Sequence, residues 1–190
     1  MTLGSFQLLT LLALTAGAKE PYGAVLAHPP FATYYTCSEH SAALDFSLGD
    51  ALGADCVVQA FPADEQRFWL RSFTGDGSRN EDWHGWRKAV LSPCDCEVLS
   101  IHINEITNTP GTMTPGRASS VILERADGTR FVVAHIREPM VAAGATVAAG
   151  QALALVGNNG YSRHPHIHLG AWRGDQPLQL RFDLTKMADQ

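Results

Sequence analysis

Val121 to His135 reads V-I-L-E-R-A-D-G-T-R-F-V-V-A-H, two β-rich runs on either side of Asp127-Gly128. Asp-Gly between apolar runs is a strong short-range signal for a two-residue hairpin, because the favoured turn needs positive φ at its central residues. The stretch predicts antiparallel strands over about Ser119 to Arg125 and Thr129 to Ile136. Similar short apolar runs, bounded by turn residues, predict strands over Glu97 to Ile103, Gln151 to Val156 and His166 to Trp172. Between them, Asn108 to Arg117 (N-T-P-G-T-M-T-P-G-R) is a loop by composition. No long stretch carries a helical period, so the fold class is mostly β, an antiparallel sheet or sandwich with few helices.

Downstream of the hairpin, Val141 to Gly157 (V-A-A-G-A-T-V-A-A-G-Q-A-L-A-L-V-G) is an apolar strand region broken by turn glycines. Gly157 to Gly170 then reads G-N-N-G-Y-S-R-H-P-H-I-H-L-G. His166 and His168 are spaced by two, and side chains at i and i+2 of a strand leave the same face. Two imidazoles therefore point into one site, an arrangement that suits a metal and an acid/base partner. His164 shares their parity, but Pro165 interrupts ladder bonding and places His164 in the preceding loop, as groove lining. Asn158 and Tyr161 read as loop architecture or groove lining. His28, His84 and His102 have no motif around them and read as surface residues.

Taken in order, Ala134-His135-Ile136 at the end of a hairpin, the V-x-x-G-x-x-V-x-x-G-Q segment and the G-x-x-G-x-S-x-x-P-H-x-H loop and strand resemble the M23 family of zinc metallopeptidases, the lysostaphin and LytM type. The likeness runs from about Ala89 to Trp172. It implies a groove-forming β fold of the duplicated hybrid motif type, one catalytic Zn2+, and peptide bonds of peptidoglycan as substrate. It also implies that His168 ligates the metal together with a His and an Asp from an earlier H-x-x-x-D-like motif. Ser38 to Phe46 (S-E-H-S-A-A-L-D-F) offers His40 and Asp45, one residue further apart than the family spacing. Neither Glu65 to Arg71 nor Asp82 to Trp86 offers a His with a carboxylate at suitable spacing. By the same resemblance His135 and His166 flank the open metal position as proton-handling groups. The length between the first motif and Val90, about Gly49 to Trp86, reads as an insertion beside the groove.

Composition bounds the remaining possibilities. With 190 residues, 45% of them hydrophobic, the chain can bury the core of one domain, residues 19 to 190. A net charge of −5 gives no electrostatic footprint for nucleic acid. Residues 1 to 18 combine a short apolar run, Phe6 to Leu14, with small residues at Ala16-Gly17-Ala18, the pattern of a secretory signal peptide. A secreted or periplasmic monomer with no membrane span after signal removal is expected. Cys37, Cys56, Cys94 and Cys96 are an even set in an exported chain, so disulfides are expected, with three pairings open. A covalent-cofactor carrier of related topology needs a lysine at a hairpin tip, and none lies between Lys88 and Lys186. The remaining competitor is an inert module of the same fold that binds cell wall or activates another hydrolase.

Overall fold

The computed structural model describes residues 22–42, 47–62 and 69–187. The proposed leader and Asp45 lie outside these residues. Among the described residues there are twelve strands: β1 (Ala24–Ala27), β2 (Tyr35–Glu39), β3 (Ala54–Val58), β4 (Ala89–Leu91), β5 (Cys96–His102), β6 (Ser120–Arg125), β7 (Thr129–Ala134), β8 (Ile136–Arg137), β9 (Thr146–Val147), β10 (Ala152–Val156), β11 (Ile167–Arg173) and β12 (Gln176–Phe182). The helical content among the described residues is two short 3-10 turns, Asn80–Asp82 and Leu184–Met187. No helix among these residues is long and apolar enough to cross a membrane.

The large sheet runs β1-β12-β11-β7-β6-β5-β9, and β3 with β2 extends it from the first half of β11. A smaller sheet runs β4-β10-β8. All pairs are antiparallel except β1 with β12. The predicted hairpin is β6-β7, with Gly128 at φ 79° in the turn. Its second strand is shorter than expected. It stops at Ala134 in the large sheet, and Ile136 resumes as β8 in the small one, with His135 at the switch.

The core lies between the sheets. Phe31, Leu123, Phe131, Ile136, Leu153, Ile167 and Leu169 are fully buried or nearly so. Each such side chain stabilises the fold by roughly 2 kcal/mol through removal of apolar surface from water. Cys37 pairs with Cys56 across β2 and β3, and Cys94 with Cys96, which settles the pairing. The stretch Gly49 to Trp86 is not one appendage, because it supplies β3 to the main sheet. From Leu70 on it forms a compact segment, with bridges Ala60 to Arg71 and Phe73 to Trp83.

β11 is buried along five consecutive residues, so both its faces are covered. Gly170 explains one contact. A Cβ there would lie 1.6 Å from the Gly49 carbonyl oxygen, so only glycine lets the 47–50 turn lie directly on the strand.

Candidate metal centre and proton-handling histidines

β11 carries the centre of the site and its neighbours complete it. His168 pairs in register with Asp55 of β3 on one side and with Ala134 of β7 on the other. Directly opposed residues of an antiparallel pair bring their Cβ atoms to about 5 Å, so register alone places the Asp55 carboxylate beside the imidazole. His40 follows the end of β2, and its N–H donates to the Gly53 carbonyl at 2.8 Å, which sets the ring next to Asp55. His135, one residue past β7, and His166, one before β11, close the cluster with ring centroids 4.6 Å apart.

Each ring is turned by a backbone carbonyl, and a carbonyl can only accept. His168 donates from Nε2 to the Gly49 oxygen at 2.8 Å, and its Nδ1 shares a hydrogen bond with Asp55 Oδ1 at 2.9 Å. His40 gives its Nδ1 proton to the Asp50 oxygen at 3.2 Å, leaving Nε2 facing Asp55 Oδ2 at 3.3 Å. His166 donates from Nδ1 to the His164 oxygen at 2.8 Å and turns Nε2 toward Asp55 Oδ1 at 3.8 Å. His135 donates from Nδ1 to the Asn159 oxygen at 2.8 Å. Orientation of ligating imidazoles by such outer acceptors is the usual support of a metal site.

One donor atom each from His40, Asp55 and His168 lies within 4.8 Å of the others. Two imidazoles and a carboxylate are the donor set of a hydrolytic zinc with an open position. These residues fit the ion: His168 Nδ1, His40 Nε2 and the Asp55 carboxylate converge, the opposite ring nitrogens are held by backbone oxygens, and a cation could take the place of the proton shared by His168 and Asp55. They line a groove of about 700 Å³ with His135, Tyr161 and Trp172. Arg117 and Asp50, from two loops, bring opposite charges to its lining.

Electrostatics separates the roles. Burial opposes ionisation of Asp55, but the hydrogen bond to His168 and the nearby imidazoles outweigh it and hold the carboxyl well below its usual range. Burial also opposes a charge on His168, yet the hydrogen bond to Asp55 prevails and raises its pKa. His135 is pushed down to about 3, first by burial and then by the neighbouring His166. His166 is lowered chiefly by burial. The two flanking rings are therefore neutral near pH 7.

The structure brings His40, His168, His135 and His166 together in one cluster. The carboxylate it places among them is Asp55, which sequence reasoning did not single out. Asp45, the expected carboxylate, lies outside the described residues. His164 is half-buried and stacks on Trp83, with centroids 4.3 Å apart. His28, His84 and His102 are half-buried rather than freely exposed, and take no part in the cluster. Asn158 is loop architecture, 1% exposed, and Tyr161 lines the groove.

Residues 87–180 match the family model described as peptidase family M23. Among solved structures, a catalytic-domain variant of the prophage-encoded M23 protein EnpA from Enterococcus faecalis is similar at 16% identity and TM-score 0.51, covering 80% of this chain and 92% of that one. A structure of the SpoIIIAH and SpoIIQ complex is similar at 14% identity and TM-score 0.52, covering 80% and 95%. Csd3 from Helicobacter pylori is similar at 17% identity and TM-score 0.50, covering 83% of this chain but 34% of that one. The chain also spans only 52% of its match in a SpoIIQ-SpoIIIAH pore-forming complex. At these identities the likeness is one of fold. No curated protein matches the chain significantly.

Proposed function

The chain belongs, through residues 87–180, to peptidase family M23, and from that premise we propose that it is an exported zinc-dependent endopeptidase acting on cross-bridge or stem peptides of peptidoglycan. The carrying observation is the convergence of three imidazole nitrogens on the Asp55 carboxylate at one end of an open groove. His40, Asp55 and His168 would hold the ion. When bound, zinc would polarise the peptide carbonyl and make a water acidic near neutral pH. His166, neutral and with Nε2 directed into the site, is placed to take a proton there. His135 holds a second neutral ring on the groove lining. An imidazole protonated at Nε2 can return that proton to the departing amine, so these two residues cover both proton transfers of hydrolysis. Two disulfides among the described residues support an oxidising compartment, secreted or periplasmic.

A second reading, a binding or activating module without catalysis, is favoured by the fold-level likeness to a SpoIIIAH and SpoIIQ complex, in which the same fold meets a protein partner. Elemental analysis of residues 19 to 190 decides between them, joined to a cleavage assay on peptidoglycan peptides. The expected result is about one zinc per chain, lost in Asp55→Ala and His168→Ala. His166→Ala should keep the zinc while turnover falls by about 100-fold or more. Asp45→Ala should also keep it; if Asp45→Ala empties the site and Asp55→Ala does not, the carboxylate is misassigned. No zinc in the unaltered chain even after added metal moves the inert module to first place.

A further inference from the structure

His166 donates its Nδ1 proton toward two acceptors, the His164 carbonyl at 2.8 Å and Ser162 Oγ at 3.2 Å. Both acceptors are tied to residues 80–83, which precede the family-matched stretch. On the first side, Trp83 stacks face to face on His164, with an interplanar angle of 5°. On the second, Ser162 Oγ donates to Asn158 Oδ1 at 2.8 Å, Asn158 Nδ2 donates to Asn80 Oδ1 at 2.9 Å, and Asn80 Nδ2 donates to the Asn108 carbonyl at 2.8 Å. That last carbonyl can only accept, which orients the Asn80 and Asn158 amides so that Asn158 Oδ1 faces Ser162; the Ser162 hydroxyl has its other acceptor in the His164 carbonyl at 2.9 Å, and with its proton spent on either it receives the His166 Nδ1 proton. Such a chain polarises along its length and specifies one tautomer at its start.

The segment is braced to serve as an anchor. Asp82 accepts from the Arg79 backbone N–H at 3.0 Å and from its guanidinium at 2.9 Å. Trp83 Nε1 donates to the Gly77 carbonyl at 2.9 Å, and its ring packs on Phe73 at 4.9 Å. Asn108, 3% exposed, holds the other end of the relay by donating to the Gly160 and Ser162 carbonyls at 2.9 and 2.7 Å.

We propose that Asn80 and Trp83 are positioning residues for His166: the 80–83 segment fixes its Nδ1–H tautomer and ring angle, so that bare Nε2 faces the Asp55 end of the groove. The inference rests on the proton-handling role given to His166 above, and its test is chosen to be read without hydrolysis. Ring-nitrogen NMR shifts of the full chain should show His166 protonated at Nδ1 and bare at Nε2. Asn80→Ala and Trp83→Ala should each move those shifts toward a tautomer mixture while His135 stays put, and Trp83→Phe, which keeps a stacking face, should restore them. In a Ser162→Ala background, Asn80→Ala should produce no further change, since its route is already cut. With a cleavable peptide, Asn80→Ala should lower kcat about tenfold at unchanged KM. Unmoved His166 shifts in both Asn80→Ala and Trp83→Ala, or an Asn80→Ala shift that persists in the Ser162→Ala background, overturn the proposal. Failure of the peptidase reading alone shows differently, as absent cleavage with the tautomer response intact.

Discussion

His135 stands with φ at 61°, the left-handed region that a residue with a Cβ enters at a cost of about 1 to 3 kcal/mol. The chain accepts that strain where it steps from the large sheet to the small one, and the reward is an imidazole on the groove with Nδ1 held by the Asn159 oxygen. His135→Gly and His135→Ala both remove the ring and its hydrogen bond, so they differ chiefly in backbone fit. The glycine variant should be the more stable by about 1 kcal/mol in urea melts, and both should lose turnover. Equal stability of the two would mean that the backbone at this position carries no strain. Asp55 shows what a single residue hides from sequence reading. It sits in A-D-C-V-V with no His beside it, and its closeness to His168 comes from strand register, which no local motif reports.

At the scale of elements, the bridge from Cys37 to Cys56 joins opposed residues of β2 and β3, next to Asp55 and close to His40. It closes a sequence separation of 19, so its loss should destabilise the domain by about 3 kcal/mol on the loop-closure estimate. Because it ties the two strands that bring His40 and Asp55, zinc affinity should fall together with melting temperature in Cys37→Ser/Cys56→Ser. Unchanged affinity in a folded double variant would show the strands hold the ligands unaided. β5, β6, β7, β10 and β11 were legible because β-branched runs stand between glycine turns in this part of the chain. β12 escaped, since Q-P-L-Q-L-R-F carries a proline, which the strand tolerates at Pro177 because β1 joins its other side only from Gln179 on. β1, β2 and β3 are four or five residues long, and β1 and β3 pair with strands far away in sequence. The resemblance gave the histidines at the end of the hairpin and on β11, whereas the carboxylate that the structure sets beside His40 and His168 comes from β3, which no spacing from His40 reports, and Asp45 lies outside the described residues.

Across the whole molecule, stability at high pH is tied to Tyr35, which packs edge-on against Phe31 and Phe182 where β2 meets the last strand and the core. Its phenol is pushed up to about 12 by burial, from an ordinary value near 10. The folded state therefore keeps the proton that the unfolded chain gives up. The stabilisation is complete below about pH 10 and is lost as pH rises toward 12. Tyr35→Phe should melt at nearly the same temperature as the parent at pH 8 and above it at pH near 11.5; parallel curves at both values would remove Tyr35 from the alkaline limb. The site also has a divided origin: His40 and Asp55 precede residue 87, and His135, His166 and His168 follow it. If His40, Asp55 and His168 hold zinc as proposed, a polypeptide trimmed to the family-matched stretch would keep His135 and His166 but one donor of three, so chelation would collapse to a single bond. Supplying residues 22–62 as a separate piece would then make metal the glue between two fragments, and their reassembly a titration of zinc.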